Sequence, residues 1–503
     1  MSLSAALHAT VGTLRRRPAE LLPAYALGAA VPAIARVATI LGLGLSLFYL
    51  EANGRLRPVI AELTRTDLDV PDPELQPEAF AEWLQGVGAV LDPLFAPAAL
   101  AVLAASLLLT IVLAVILAAA VSAGQVAACH ACLRDRRGTV AMIGGVRSHW
   151  STYFWAYVLE AIIWVAVSLG AFGAAAVGLA ASPLLGAIVA VVAGLFWLLV
   201  MVPTRAVFAF VPVAIVVDDV GLLRAIRASA GYLRADPVGA LGYFAIALGV
   251  LLAFSTVTAV LSLGQASAAV TPVAFLVIAP ALDLLKTGLY DQHRGTFSPP
   301  NEPVGTVKQQ VNGGLRRGLD WLAAFVRRTP GTHIVAIALL LSGFGLGWIW
   351  ATPFVGSIET SIVHRLADHI PPAAALNYFG NNFTVAVSMA YSGVALVVPA
   401  VATLWTNGLI LGVYARLEVA PALLAAFITP HGIFELPALV VAGALGLRLG
   451  LASWRTWRGG LTRADLADAL EEAFWVLVGL GVLFAVAGII EGFLSPYYWR
   501  LFL

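Results

Sequence analysis

The chain has 503 residues, of which 60% are apolar and only 11% charged, with a mean hydropathy of +0.92. A soluble domain carries about 25% charged residues, so this composition excludes a soluble globular protein. Two cysteines, Cys129 and Cys132, exclude a disulfide scaffold, and a net charge of +1 argues against nucleic-acid binding.

Arg15, Arg16 and Arg17 precede the first apolar run, which is too long for the core of a cleaved signal peptide. Runs long enough to cross about 30 Å of hydrocarbon fall near 21–49, 94–128, 153–180, 184–216, 238–264 and 268–289. Five more follow near 331–351, 374–392, 394–415, 431–451 and 473–494. The expected fold class is therefore all-α: a polytopic integral membrane protein with about eleven transmembrane helices, six plus five. The runs at 94–128 and 184–216 exceed a bilayer's thickness and are expected to tilt or project.

Between spans, basic residues gather in alternate loops: 134–147, 224–234, 294–328 and 455–463 join the N-terminal arginines on one side. The positive-inside rule then places the protein in the cell membrane, with its N-terminus cytoplasmic and its C-terminus extracytoplasmic. The opposite side has an acidic loop, 51–92, which includes Asp67, Asp69, Asp72 and Glu74. Its Pro-rich VPDPELQP reads as a turn into a short helix. A second loop on that side, 353–372, reads as a short amphipathic helix with His364 and His369.

The polar stretch 291–330 is the one clear composition break. It divides the chain into a six-span domain (1–290), a cytoplasmic linker with an amphipathic helix (291–330), and a five-span domain (331–503). One device recurs: an amphipathic segment, basic residues, a proline, then a span. It appears in TVGTLRRRPAELLPAY, LLRAIRASAGYLRADPVGAL and LDWLAAFVRRTPGTHIV, where apolar residues reach the acyl boundary and arginine the headgroups.

Two polar features lie in the first half. Cys129-His130-Ala131-Cys132 is a lone CxxC, read as helix packing rather than metal or redox chemistry. Glu160 and Arg205 lie in neighbouring spans and are expected to pair. In the second half, the small-residue run GFGLG at 343–347 reads as a packing surface.

The last five spans hold the distinctive residues. Thr429 reads as a helix N-cap and Pro430 as the first helical residue, with Pro437 breaking the helix again. His431 and Glu435 lie four apart, on one face, and Glu435 is expected about 6 Å below the helix start. With the orientation above, Glu491, Asn377, Asn381, Asn382 and Asn407 converge with them on the outer leaflet. Ionisable groups inside a span cost about 2.5–3.5 kcal/mol on insertion scales and are rarely idle. The expected site is an intramembrane polar cluster of these residues: either a cation, proton or small-substrate site, or interhelical hydrogen bonding that fixes the packing. No catalytic residue, no cofactor and no metal is expected. A histidine with two carboxylates could ligate zinc, but His-x-x-x-Glu lacks the second histidine of a HExxH metalloprotease.

The segments ALNYFGNNFTVAVSMAYSG, LWTNGLILG, PHGIFELPAL and GIIEGFLSP resemble the stage II sporulation protein M family, over residues from about 330 to the end. That resemblance implies a multi-span protein whose founding relative, in spore formers, is a membrane anchor that assembles cell-wall hydrolases. TRAVFAFVPVAIVVDDVGLLRAIRASAGYLR resembles membrane regions found with glycerophosphodiester phosphodiesterases, without the hydrolase domain. The expected function is a non-enzymatic membrane scaffold that assembles partner proteins. The alternative is a transporter or channel that binds a cation, proton or small solute at the polar cluster. Expected partners are the lipid bilayer and unidentified membrane or envelope proteins, with no nucleic acid; a homo-oligomer is compatible with the same reading.

Overall fold

A computed structural model describes residues 3–63, 77–295, 305–356, 370–418 and 421–498. Helix α1 (Leu3–Arg16) precedes α2 (Pro18–Ala52), and the short helices α3 (Leu56–Leu63) and α4 (Pro77–Leu91) follow. Next come α5 (Pro97–Leu133), α6 (Gly138–Ala181), α7 (Pro183–Val217), α8 (Leu222–Ala235) and α9 (Pro237–Leu263). A 3-10 turn, Ser267–Ala269, leads through α10 (Val270–Val273) and a π-helical stretch, Ala274–Ile278, into α11 (Ala279–His293). The π-helical stretch comes just before Pro280, which supplies no N–H to the carbonyl four residues earlier. Helices α12 (Val307–Arg328), α13 (Pro330–Ala351), α14 (Pro371–Ser392), α15 (Val398–Leu417), α16 (Pro421–Trp457), α17 (Arg463–Phe493) and α18 (Ser495–Tyr498) complete the chain.

Among the described residues, ten helical segments are long and apolar enough to cross a membrane. The chain is an all-α, multi-pass membrane protein. The remaining expected span is α14, a 22-residue helix diluted by Asn377, Asn381 and Asn382; it packs against α16 and α17. Helix α4 stands where the Pro-rich turn was expected to open a short helix. Asp67, Asp69, Asp72 and Glu74 lie outside the described residues, as do His364 and His369.

The repeated device is built the same way each time. One residue (Arg17, Asp236 or Thr329) separates the amphipathic helix from a proline that starts the next long helix. Proline at the first helical position loses nothing, because its missing N–H would have no partner there. The amphipathic helices dock rather than float. On α8, Ala225, Ser229 and Tyr232 are buried, and the Ser229 hydroxyl donates to Val207 O at 2.6 Å. On α12, Gly318 meets Gly479 of α17 closely enough that a Cβ there would lie 2.8 Å from Gly479 N.

The chain divides into two compact units, described separately. The first comprises residues 1–28, 115–256 and 274–310. There α1 lies on α11, while α7 packs on α6, α8 and α11. The turn between α6 and α7 is a single residue, Ser182, whose Oγ accepts from Leu185 N at 3.1 Å. An aromatic cluster fills the core, with Phe210 4.8 Å from Tyr232 and 5.3 Å from Tyr243 between ring centres. The expected ion pair forms, Arg205 Nη1 lying 2.8 Å from Glu160 Oε1.

The second unit comprises residues 29–114, 257–273 and 311–503. Its tightest contact is between α13 and α15. A Cβ on Gly343, Gly347, Gly408 or Gly412 would strike the backbone carbonyl of Trp405, Leu409, Leu340 or Phe344, respectively. Residue numbers rise together on both sides, so the two helices are parallel. The GFGLG run is thus a packing surface, as its small residues imply.

Candidate functional site

Helix α16 does not begin at Pro430. It runs unbroken from Pro421 to Trp457 through both Pro430 and Pro437, so neither is a helix break. The segment PALLAAFIT is rich in helix-forming Ala and Leu, and extends the helix about two and a half turns ahead of Pro430. Each proline removes one backbone donor, which packing offsets. Thr429 caps nothing; its hydroxyl donates back to Ala425 O at 2.6 Å. Glu435 accordingly lies about 21 Å from the helix start instead of 6 Å.

Three of the expected site residues do come together. A ligand atom from each of His431, Glu435 and Glu491 lies within 4.8 Å of the other two. His431 and Glu435 share a face of α16 through their i, i+4 spacing, and Glu491 arrives two residues before the end of α17. Two glycines flank Glu491 and let α14 close in beside it. A Cβ on Gly488 would lie 2.9 Å from Ala375 O, and one on Gly492 2.8 Å from Pro371 O.

His431 is buried, and its Nδ1 is 2.9 Å from the Oγ of buried Ser495 on α18. Its ring meets Phe427 edge-on at 5.5 Å. Glu435 Oε2 and Glu491 Oε2 are buried without a hydrogen-bond partner among the described residues. Unpaired buried carboxylate oxygens are costly and rare. The arrangement, one imidazole with two carboxylates on a common point, is a donor set that can hold a cation or share a proton.

The asparagines turn elsewhere. Asn377 Oδ1 accepts from Ala268 N at 3.1 Å, capping the 3-10 turn before α10. Gly380, one turn on, has no side chain because the backbone of Ala268 and Ala269 fills that space. Asn381 is exposed and donates to Asn382 Oδ1 at 3.1 Å, and Asn407 Nδ2 donates to Thr403 O of its own helix at 2.8 Å. Ser495 was not foreseen, because nothing in its sequence neighbourhood marks it as a histidine partner.

A second buried polar network, in the first unit, also escaped the sequence reading. Tyr25 donates to Asp283 Oδ2 at 3.0 Å and lies 3.1 Å from Cys129 Sγ, while Lys286 Nζ is 2.9 Å from Asp283 Oδ1. Nearby on α11, fully buried Asp291 pairs with Arg134 at 2.7 Å. The visible signal was an acid and a lysine three apart inside an apolar run. Cys129 and Cys132 are both buried and form no disulfide.

No curated protein and no solved structure matches the chain. Residues 336–496 match the family described as Stage II sporulation protein M. That range contains His431, Glu435, Glu491 and Ser495, so the C-terminal region of the chain carries the stage II sporulation protein M region and the polar centre lies within it.

Proposed function

We propose that the protein is a non-enzymatic membrane scaffold whose C-terminal bundle presents an assembly surface organised by the His431–Glu435–Glu491 centre. One observation carries the choice over a carrier. The centre sits at one end of the α16–α17 seam; among the described residues, the buried positions between it and the Arg448–Glu472 ion pair at the far end are apolar or glycine. On α16 these include Ala438, Ala442 and Leu445; on α17 they include Phe484, Leu480, Leu477 and Ala473. A solute pathway needs polar groups along its length, whereas a fixed organising site needs them at one place. In the orientation set by the basic loops, the centre faces the extracytoplasmic side, where envelope partners would dock.

The test is crosslinking in native membranes, comparing wild type with His431→Ala/Glu435→Gln. The expected result is a stoichiometric partner on wild type that the inserted, monodisperse variant loses. The transporter reading draws on the buried carboxylates themselves. Glu435-dependent ion or solute flux in proteoliposomes, with no partner captured, would replace the scaffold by that reading.

A further inference from the structure

We propose that His431, Glu435 and Glu491 bind one divalent transition-metal ion, of the zinc class. The inference deepens the scaffold reading, since it concerns the same centre. Ligand atoms around a tetrahedral ion with ~2.0–2.1 Å bonds lie roughly 3.4 Å apart, and the three donors here lie within 4.8 Å of one another. Carboxylate rotation about the last side-chain bond closes that gap without moving a helix, because those torsions are broad.

Charge selects the valence. Two carboxylates in a low-dielectric setting require two positive charges to form a neutral centre. One divalent ion supplies both, and gives the partnerless Oε2 atoms of Glu435 and Glu491 something to bind. A single monovalent ion leaves a net negative charge among apolar residues.

Donor type selects the metal. Calcium and magnesium favour oxygen ligands, whereas an imidazole suits zinc and its first-row neighbours. His431 is buried, and its ring is held from outside the trio by Ser495 Oγ at 2.9 Å and Phe427 at 5.5 Å. Orienting contacts of this kind are characteristic of metal-ligating histidines. The trio is also drawn from two helices, α16 and α17, with its outer support from α18. A bound ion would therefore tie the three together where α14 approaches, which is how a metal could set the shape of an assembly surface.

The test uses the untagged full chain in detergent, stripped with EDTA and titrated in turn with Zn2+, Mn2+ and Mg2+. Wild type is expected to retain one zinc per chain after gel filtration, to show a raised unfolding temperature with zinc, and to ignore millimolar Mg2+. Glu435→Gln/Glu491→Gln, checked for monodispersity, is expected to lose the bound zinc and the zinc-dependent shift. Ser495→Ala is expected to weaken binding by about tenfold.

Wild type that retains no zinc, or a double variant that binds as wild type does, overturns the proposal. Where the variants do not accumulate, zinc absorption spectroscopy of wild type decides. One imidazole with oxygen ligands supports the site; sulfur ligands would move the metal to Cys129 and Cys132 and overturn it. Partner capture by wild type that holds no zinc would refute the metal and keep the scaffold. Stoichiometric zinc with no partner in native membranes would do the reverse.

Discussion

Alanine at Gly347 should loosen the C-terminal bundle, whereas alanine two residues earlier, at Gly345, should not. A Cβ on Gly347 would land on Leu409 O, far inside the 3.4 Å at which ordinary contact begins; one on Gly345 would meet nothing within 4 Å. Helices α13 and α15 must then part locally by about 1 Å, giving up close Cα–H···O contacts of about 0.5–1 kcal/mol each and adding overpacking strain of about 1–3 kcal/mol. Alanine's better helix propensity returns about 1 kcal/mol. The net expectation for Gly347→Ala is a loss of about 0.5–3 kcal/mol, and for Gly345→Ala a gain of up to about 1 kcal/mol. Gly408→Ala, which meets Leu340 O from the other side, should behave like Gly347→Ala. The assay is the temperature at which detergent-solubilised protein leaves its monodisperse chromatographic peak. Equal midpoints for Gly345→Ala and Gly347→Ala would refute the close parallel crossing.

Three other expectations follow from buried polar groups. Arg205→Ala strands Glu160 inside a span and should lower stability by about 2–3 kcal/mol; Arg205→Ala/Glu160→Ala should recover most of it in the same thermal assay. Lys286→Met should be worse than Lys286→Met/Asp283→Asn, because the single change leaves the Asp283 carboxylate without the ammonium 2.9 Å away; equal midpoints would show the pair to be uncoupled. Cys129 and Cys132, 0% and 1% exposed, should resist a membrane-permeant maleimide until the protein is denatured, and rapid labelling of the folded chain would contradict their burial.

What could be read in advance was local. The helix–residue–proline junctions at Pro18, Pro237 and Pro330 were legible because capping and proline chemistry act within a few residues. Glu435 and Glu491 were legible because an ionisable group in a span is conspicuous at any depth. Direction around the helix was not legible. Asn377 lies near the start of α14 and Glu491 near the end of the antiparallel α17, so both come to one end of the helix pair, yet Asn377 turns to Ala268 and Glu491 to His431. Pro430 misled because two local rules compete there, and the Ala- and Leu-rich residues before it outweigh its preference for a helix start. The Asp283–Lys286 pair was hidden because opposite charges one turn apart barely change the mean hydropathy of an apolar run.

The packing of α14 sets an order of events during synthesis. This helix falls below the apolarity of a span, and its principal neighbours, α16 and α17, follow it in the chain. Its neighbour in sequence, α13, takes its closest contact from α15 instead. When α14 leaves the ribosome, Ala268 and Ala269, which accommodate Asn377 and Gly380, have already been made, but α16 and α17 have not. The larger part of the packing of α14 can therefore form only after α16 and α17 have been made. A chain stalled after α15 would leave α14 the first segment to slip back into water.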